Sequence, residues 1–218
     1  MSGPHVLALR DVAIAIGGRS LFAPLTLAVV GGEILTVMGP SGSGKSSLVA
    51  WLSGALDPAL TGLGRISLDG VDVTALPPER RHIGILFQDD LLFPHLSVGG
   101  NLAFALPAGL ARPERHRRID LALAEAELAG FAARDPASLS GGQRARVAVM
   151  RTLLAEPRAL LLDEPFAKLD AVLRDQFRRF VFDHARRQDV PVLLVTHDAA
   201  DAAAAGGAVV TLAGMASQ

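Results

Sequence analysis

Cysteine and tyrosine are both absent from this 218-residue chain, tryptophan occurs once, and neither sign of charge dominates. Without cysteine there are no disulfides, thiolate metal sites or cysteine nucleophiles, a usage compatible with the cytoplasm. The 21 basic and 22 acidic residues leave a net charge of -1, so nothing in the balance points to a nucleic-acid surface or a strongly anionic membrane. Half of the residues are hydrophobic, yet no uninterrupted Leu- or Ile-rich stretch reaches the roughly 20 residues that a bilayer-crossing helix needs. The Ala- and Gly-rich tail at 202–217 comes nearest. Its small side chains contribute little transfer free energy, and Gly206-Gly207 reads as a helix stop before a short strand at 208–212. Residues 1–10 lack the basic flank and apolar run of a signal peptide, so attachment to a membrane would fall to a partner.

What is present is an alternation of strand-length apolar runs with amphipathic stretches. The length suits one large α/β domain, or a core domain with a small inserted one. Continuous apolar runs at 33–38, 83–87, 159–163 and 190–196 predict strands buried on both faces of a mostly parallel sheet covered by helices. Segments 6–16, 25–30 and 65–73, the last folded around Asp69-Gly70, predict a smaller antiparallel sheet beside it. From 90 to 139 the pattern is helical, broken by Pro94, Pro107, Pro113 and Pro136. This predicts an inserted helical subdomain within a single domain spanning 1–218. There is no internal repeat and no low-complexity linker. The basic cluster Arg112, Arg115, Arg117 and Arg118 reads as a solvated helix face, with a partner surface as the alternative.

Three motifs carry chemistry. The run Gly39, Pro40, Ser41, Gly42, Ser43, Gly44, Lys45 and Ser46, followed by Ser47, sits between an apolar strand and a helix that packs through Leu48, Val49 and Leu52, the context of a phosphate loop. Its glycines let backbone N–H groups turn toward phosphates, the helix N-terminus adds its positive end, Lys45 is placed to reach the β- and γ-phosphates, and Ser46 to ligate magnesium. Asp163 ends the run Leu160-Leu161-Leu162, at the sheet edge where ligands of parallel sheets bind, and is expected to hold magnesium through water. Glu164, the next residue, is placed to orient and polarise an attacking water. Taken alone, the acidic pair reads equally well as a helix cap. Ser140, Gly141 and Gly142 introduce a helix near Gln143, and the serine hydroxyl, the backbone donors and the helix dipole suit a second anion.

Phosphate loop, acidic pair and the Leu-Ser-Gly-Gly-Gln signature together resemble the nucleotide-binding subunit of an ATP-binding cassette (ABC) transporter, over nearly the whole chain. The resemblance implies the α/β fold of phosphate-loop NTPases, with ATP and Mg2+ as ligands. It implies that Gln88, after the strand at 83–87, contacts magnesium and water, and that His197, after the strand at 190–196, contacts the γ-phosphate. It also implies a head-to-tail homodimer in which ATP on one phosphate loop is closed over by the other subunit's signature, with Asp170 across that interface.

The chain departs from the family in places. Many relatives carry an aromatic residue that stacks on adenine, and the aligned position here is Ile16. Losing the ring is expected to cost about 1–3 kcal/mol of base binding, partly recovered by apolar contact, and to weaken discrimination between ATP and GTP. Ala167 stands where relatives often carry serine, a loss of about 0.5–1.5 kcal/mol if that hydroxyl bridges the dimer. Gly99-Gly100 costs about 2 kcal/mol of helix propensity and predicts a looser helical subdomain unless a partner orders it.

Three functions compete: the ATPase of a membrane importer, a soluble ABC ATPase acting on ribosomes or nucleic acid, and an unrelated phosphate-loop enzyme. The third leaves the signature unexplained, and no Asn-Lys-x-Asp guanine motif occurs. Against the second stand a single cassette and a short insertion. The segment 91–98 is similar to the stretch that faces the permease in bacterial importer subunits for thiamine, polyamines, iron or maltose. Weaker likenesses at 76–81 and 106–107 point to the thiamine branch. The expected partners are therefore separate permease subunits, which the chain would meet peripherally on the cytoplasmic face of the inner or plasma membrane, together with a solute-binding protein. With only 198–218 after His197, no C-terminal regulatory domain is expected. The transported molecule is not encoded in such a subunit, because the solute never touches it.

Overall fold

The computed structural model describes residues 5–213 apart from 168 and 170. Asp170 and the tail positions 214–217 thus lie outside the described residues. In chain order, β1 (Val6–Ile16), β2 (Arg19–Ser20), β3 (Leu25–Val30) and β4 (Ile34–Met38) lead to α1 (Lys45–Ser53). Next come β5 (Leu60–Leu68), β6 (Val71–Asp72) and β7 (Ile83–Leu86), then α2 (Val98–Ala105), α3 (Arg112–Glu125) and α4 (Gly141–Leu154). After these follow β8 (Ala159–Asp163), α5 (Ala171–Arg187), β9 (Val192–Val195), α6 (Ala199–Ala205) and β10 (Val209–Thr211). The chain divides into two compact units. The first comprises Met1–Ile85, Arg158–Glu164 and Arg178–Gln218, and the second Leu86–Pro157 and Pro165–Phe177.

The first unit holds both sheets. The parallel sheet runs β10-β4-β9-β8-β7, with Leu161 opposite Leu193 and Leu35 opposite Leu193 on its other side. Residues Leu160, Leu161 and Leu162 and the whole of β9 are buried, which is why these segments read as unbroken apolar runs rather than alternating ones. The antiparallel sheet runs β2-β1-β5-β6, with β3 also on β1. A bulge in β1 at Asp11, where φ is +50°, shifts register against both neighbours. Asp11 is held there by Thr26, whose hydroxyl accepts from the Asp11 N–H at 2.9 Å. Opposite, a Cβ on Gly64 would meet the Asp11 carbonyl at 2.4 Å, so only glycine fits the bulge.

The strand β5 begins at Leu60, five residues before the segment that the apolar pattern marks. Gly62 and Gly64 dilute that pattern, and Gly62 is there because a Cβ would enter the Trp51 ring at 2.4 Å. Asp69 and Gly70, both at positive φ, make the tight turn into β6. Leu7, Leu9, Ile14 and Ile66 from the antiparallel sheet, Leu161, Leu193 and Val195 from the parallel sheet, and Leu48 and Leu52 from α1 share one core.

The second unit is helical and extends beyond the 90–139 stretch on both sides. Here α2 packs on α4, and α3 joins both. Ser97 caps α2, accepting from the Gly100 N–H at 3.0 Å. Asn101, wholly buried, donates to the carbonyls of Phe93, Leu96 and Ser97 and accepts from the Phe93 N–H, which fixes the 93–97 loop. Gly99 lets two backbones approach: its N–H donates to Ala132 at 2.8 Å, and a Cβ would stand 3.0 Å from the same oxygen. The helix propensity lost there is offset by a tertiary hydrogen bond. In the basic cluster, Glu114 binds Arg117 and Arg118, Arg118 also binds Glu156, and Arg115 donates to the Ala103 carbonyl. Among the described residues no helix is long and apolar enough to cross a membrane.

Candidate active site

At the C-terminal edge of the parallel sheet, β4 delivers the chain into the loop Gly39–Gly44 and on into α1. Two glycines adopt left-handed backbone there, Gly42 at φ +78° and the N-cap Gly44 at φ +91°. A Cβ on Gly39 would lie 2.7 Å from the Ser43 hydroxyl and 2.8 Å from the Leu212 carbonyl, and one on Gly44 would lie 2.8 Å from the Phe22 ring. Phe22, itself fully buried, thus floors the loop. Sequence reasoning did not single it out, and its only signal is an aromatic placed just after a short strand. Pro40, Ser41, Gly42 and Ser46 are exposed, Ser43 and Lys45 are buried, and Ser47 is half-buried. The Lys45 ammonium turns back on the loop, donating to the carbonyls of Gly39 at 2.8 Å and Pro40 at 2.9 Å. No acidic side chain occupies the first turn of α1, so nothing of its own neutralises the helix's positive end.

Beside this loop the first unit brings together Asp163, Glu164 and His197. Asp163 ends β8 with Oδ1 buried and without a hydrogen-bond partner among the described residues. Burial, with the neighbouring Glu164 charge, pushes its carboxyl above the ordinary value, against a hydrogen bond from Ser46 and the attraction of Lys45. A half-buried carboxylate with an orphaned oxygen, next to a serine hydroxyl, is a donor set suited to a hard divalent cation. Glu164 is held at φ +47°, a strained conformation for a residue with a Cβ, with its N–H donating to the Val195 carbonyl at 2.9 Å. Its Oε1 lies 3.1 Å from His197 Nδ1, and the histidine is otherwise exposed.

Gln88 and the signature belong to the second unit. Gln88 is exposed in the loop after β7. Ser140 is the N-cap of α4 and forms a reciprocal capping box with Gln143. The Gln143 N–H donates to the serine hydroxyl at 3.3 Å, and the Ser140 N–H to the glutamine Oε1 at 3.0 Å. The helix starts at Gly141, two residues earlier than the pattern suggests. Gly141 stands open, whereas a Cβ on Gly142 would enter the Leu173 side chain at 2.6 Å. Ile16, at the end of β1, is 51% exposed, and Ala167 is exposed as well.

Residues 22–167 match the family described as ABC transporter. The uncharacterized ABC transporter ATP-binding protein YnjD of Escherichia coli (strain K12) is 47% identical over 196 residues, 90% of each chain. The taurine import ATP-binding protein TauB of Pseudomonas fluorescens is 45% identical over 84% of this chain and 67% of its own length. The spermidine/putrescine import ATP-binding protein PotA of Pseudomonas aeruginosa is 40% identical over 92% of this chain, which spans only 55% of it. With that coverage and identity, the chain belongs to the ABC transporter family, and it is one of that family's ATP-binding ATPases.

Proposed function

We propose that this chain is the ATP-hydrolysing subunit of a membrane importer, a single catalytic domain with an inserted helical subdomain, working as a head-to-tail pair of copies beneath separate permease subunits. The observation that carries the reading is that one chain offers two phosphate-ready helix N-termini. One is at Lys45, behind the glycine-rich loop, and the other at Gly141, capped by Ser140. A monomer has use for one. In the pair, the signature of one copy, Ser140, Gly141, Gly142 and Gln143, covers ATP seated on the phosphate loop of the other, with Asp170 at the joint.

In the ATP-bound pair Lys45 exchanges the carbonyls of Gly39 and Pro40 for β- and γ-phosphate oxygens, and the loop amides from Gly39 to Ser47 supply the remaining donors. Ser46, Asp163 and Gln88 would hold magnesium, which would neutralise charge on the phosphate oxygens. Glu164 orients and polarises the attacking water. His197, anchored through Nδ1 on Glu164, presents Nε2 to the γ-phosphate, donating when the ring is protonated. Binding closes the pair and turns the permease from one facing to the other, and hydrolysis reopens it. Relatives named for taurine, spermidine/putrescine and Fe(3+) import support the import direction. Leu91 and Phe104, 55% and 69% exposed, support a permease-docking face on the second unit. The subunit then sits peripherally on the cytoplasmic face of the membrane, and the permease and its solute-binding protein select the solute.

The test is to trap tagged Glu164→Gln protein with ATP in its native host and identify what co-purifies from solubilised membranes. A stoichiometric permease is expected. Recovery only from the soluble fraction, with ribosomes or nucleic acid attached, overturns the reading. Ser140→Arg should abolish ATP-dependent dimerisation while nucleotide binding to the monomer persists.

A further inference from the structure

We propose that Thr196, Asp201 and Arg178 form a buried positioning device that sets where His197 stands, an inference that rests on the reading of His197 as the γ-phosphate contact. The histidine is exposed and its side chain meets Glu164, so its location depends on the residues on either side of it. Both are tied to the same buried carboxylate. On the N-terminal side, the Thr196 hydroxyl donates to Asp201 Oδ2 at 2.8 Å. On the C-terminal side, the Asp198 N–H donates to that same hydroxyl at 3.1 Å. Asp201 is in turn held by Arg178, whose Nε donates to Oδ1 at 2.6 Å, with Nη2 against the same oxygen and 3.8 Å from the Asp198 carboxylate. The three members are only 1%, 3% and 6% exposed.

An ion pair this deep is a poor way to add stability, because the cost of taking both charges out of water roughly cancels their attraction, and apolar side chains of similar size do as well. What it supplies is geometry. A threonine with both hydroxyl bonds fixed, at the end of β9 where its own N–H donates to Val37 at 3.2 Å, leaves the following residue one place to stand. His197 then projects from a rigid corner rather than a mobile loop, which matters because misplacing a catalytic contact by about 1 Å lowers turnover about 100-fold. Thr196, Asp201 and Arg178 are positioning residues, each acting through His197.

The test uses the whole chain and ATP turnover, with unfolding midpoint and KM measured alongside. Thr196→Val keeps the side chain's shape and removes both hydroxyl bonds. It should lower kcat between about 10- and 100-fold with KM for ATP within about twofold. Thr196→Ser should restore kcat to within about threefold of the parent. In a His197→Ala background, Thr196→Val should lower kcat no further. If Thr196→Val does not fold, Asp201→Asn, which keeps the shape and the Arg178 acceptor, takes its place in the same comparison. Parental kcat in the threonine variant, while His197→Ala collapses, overturns the positioning role alone. Equal losses in both backgrounds overturn it too, since the effect then does not pass through the histidine. Parental kcat in His197→Ala itself overturns the reading of the histidine on which the proposal rests.

Discussion

Arg81 reaches across to the last turn of α1 and donates through Nη1 to the carbonyl of Trp51 at 2.7 Å and of Leu52 at 3.0 Å. Its Nε and Nη2 donate to the carbonyls of Leu76 and Thr74, so one buried guanidinium serves four carbonyls and, among the described residues, no carboxylate. Those carbonyls at the helix end carry partial negative charge, and the cation there complements the dipole of the helix that begins at the phosphate loop. Burial holds the arginine's pKa below its ordinary value. Arg81→Ala removes the guanidinium donors from all four carbonyls, the Trp51 carbonyl keeping only the Gly54 N–H at 3.1 Å, and should lower unfolding free energy by about 3 kcal/mol in urea titrations. Arg81→Lys, which has no fork of donors, should recover less than half of that.

Glu114 provides a pH test. Hydrogen bonds from Arg117 and then Arg118 pull its carboxyl down to about 2. A carboxyl lowered in the folded state adds stability above its ordinary pKa and loses it as pH falls through the folded value. The contribution of this pair to α3 should therefore be complete at pH 6 and vanish toward pH 2. Glu114→Gln should lower the unfolding midpoint slightly at neutral pH and leave it unchanged near pH 2, and high salt should shrink the difference because the group is exposed.

Asp163 carries the opposite sign. Its carboxyl is raised, so in the nucleotide-free protein its charge costs stability above the ordinary carboxylate range, and the cost disappears below it. Asp163→Asn should raise the unfolding free energy at pH 7 by about 0.5 kcal/mol, solvent at the loop screening part of the effect, while abolishing magnesium-dependent turnover. A parental dependence of turnover on magnesium in that variant would remove Asp163 from the metal site.

Much of this was legible beforehand, and for identifiable reasons. The strands β8 and β9 carry their burial on both faces as unbroken runs, and Asp69-Gly70 can only be a turn, so sheet classes followed from pattern. The phosphate loop and signature are local in sequence, which is why their residues were named without a structure. The start of β5 was missed because Gly62 and Gly64 are dictated by Trp51 and the Asp11 bulge, neighbours that are distant along the chain. Phe22 under the loop and the buried Arg178–Asp201 pair were missed for the same reason. Nothing local distinguishes a buried arginine from a solvated one, and the latter is far commoner. The second unit also takes in 86–89, 140–157 and 165–177, and the stretch that carries α4 joins it because α4 packs on α2, a tertiary contact that the local pattern does not show.

Ile16 is half-exposed at the end of β1, opposite Arg19 on one side and Leu60 on the other, and so offers a purine an apolar face without a ring. Base–aromatic stacking is worth about 1–3 kcal/mol, so Ile16→Tyr should lower KM for ATP at least about fivefold, with kcat unchanged if the base only binds and does not orient the phosphates. The parent should turn over ATP and GTP with kcat/KM within about threefold of each other, because isoleucine makes no hydrogen bond that distinguishes the exocyclic groups and the energy comes from the phosphates. Matched turnover of the two nucleotides by parent and variant measures both effects. A strong preference for ATP in the parent would mean that other residues read the base edge, and that Ile16 does not set nucleotide selectivity.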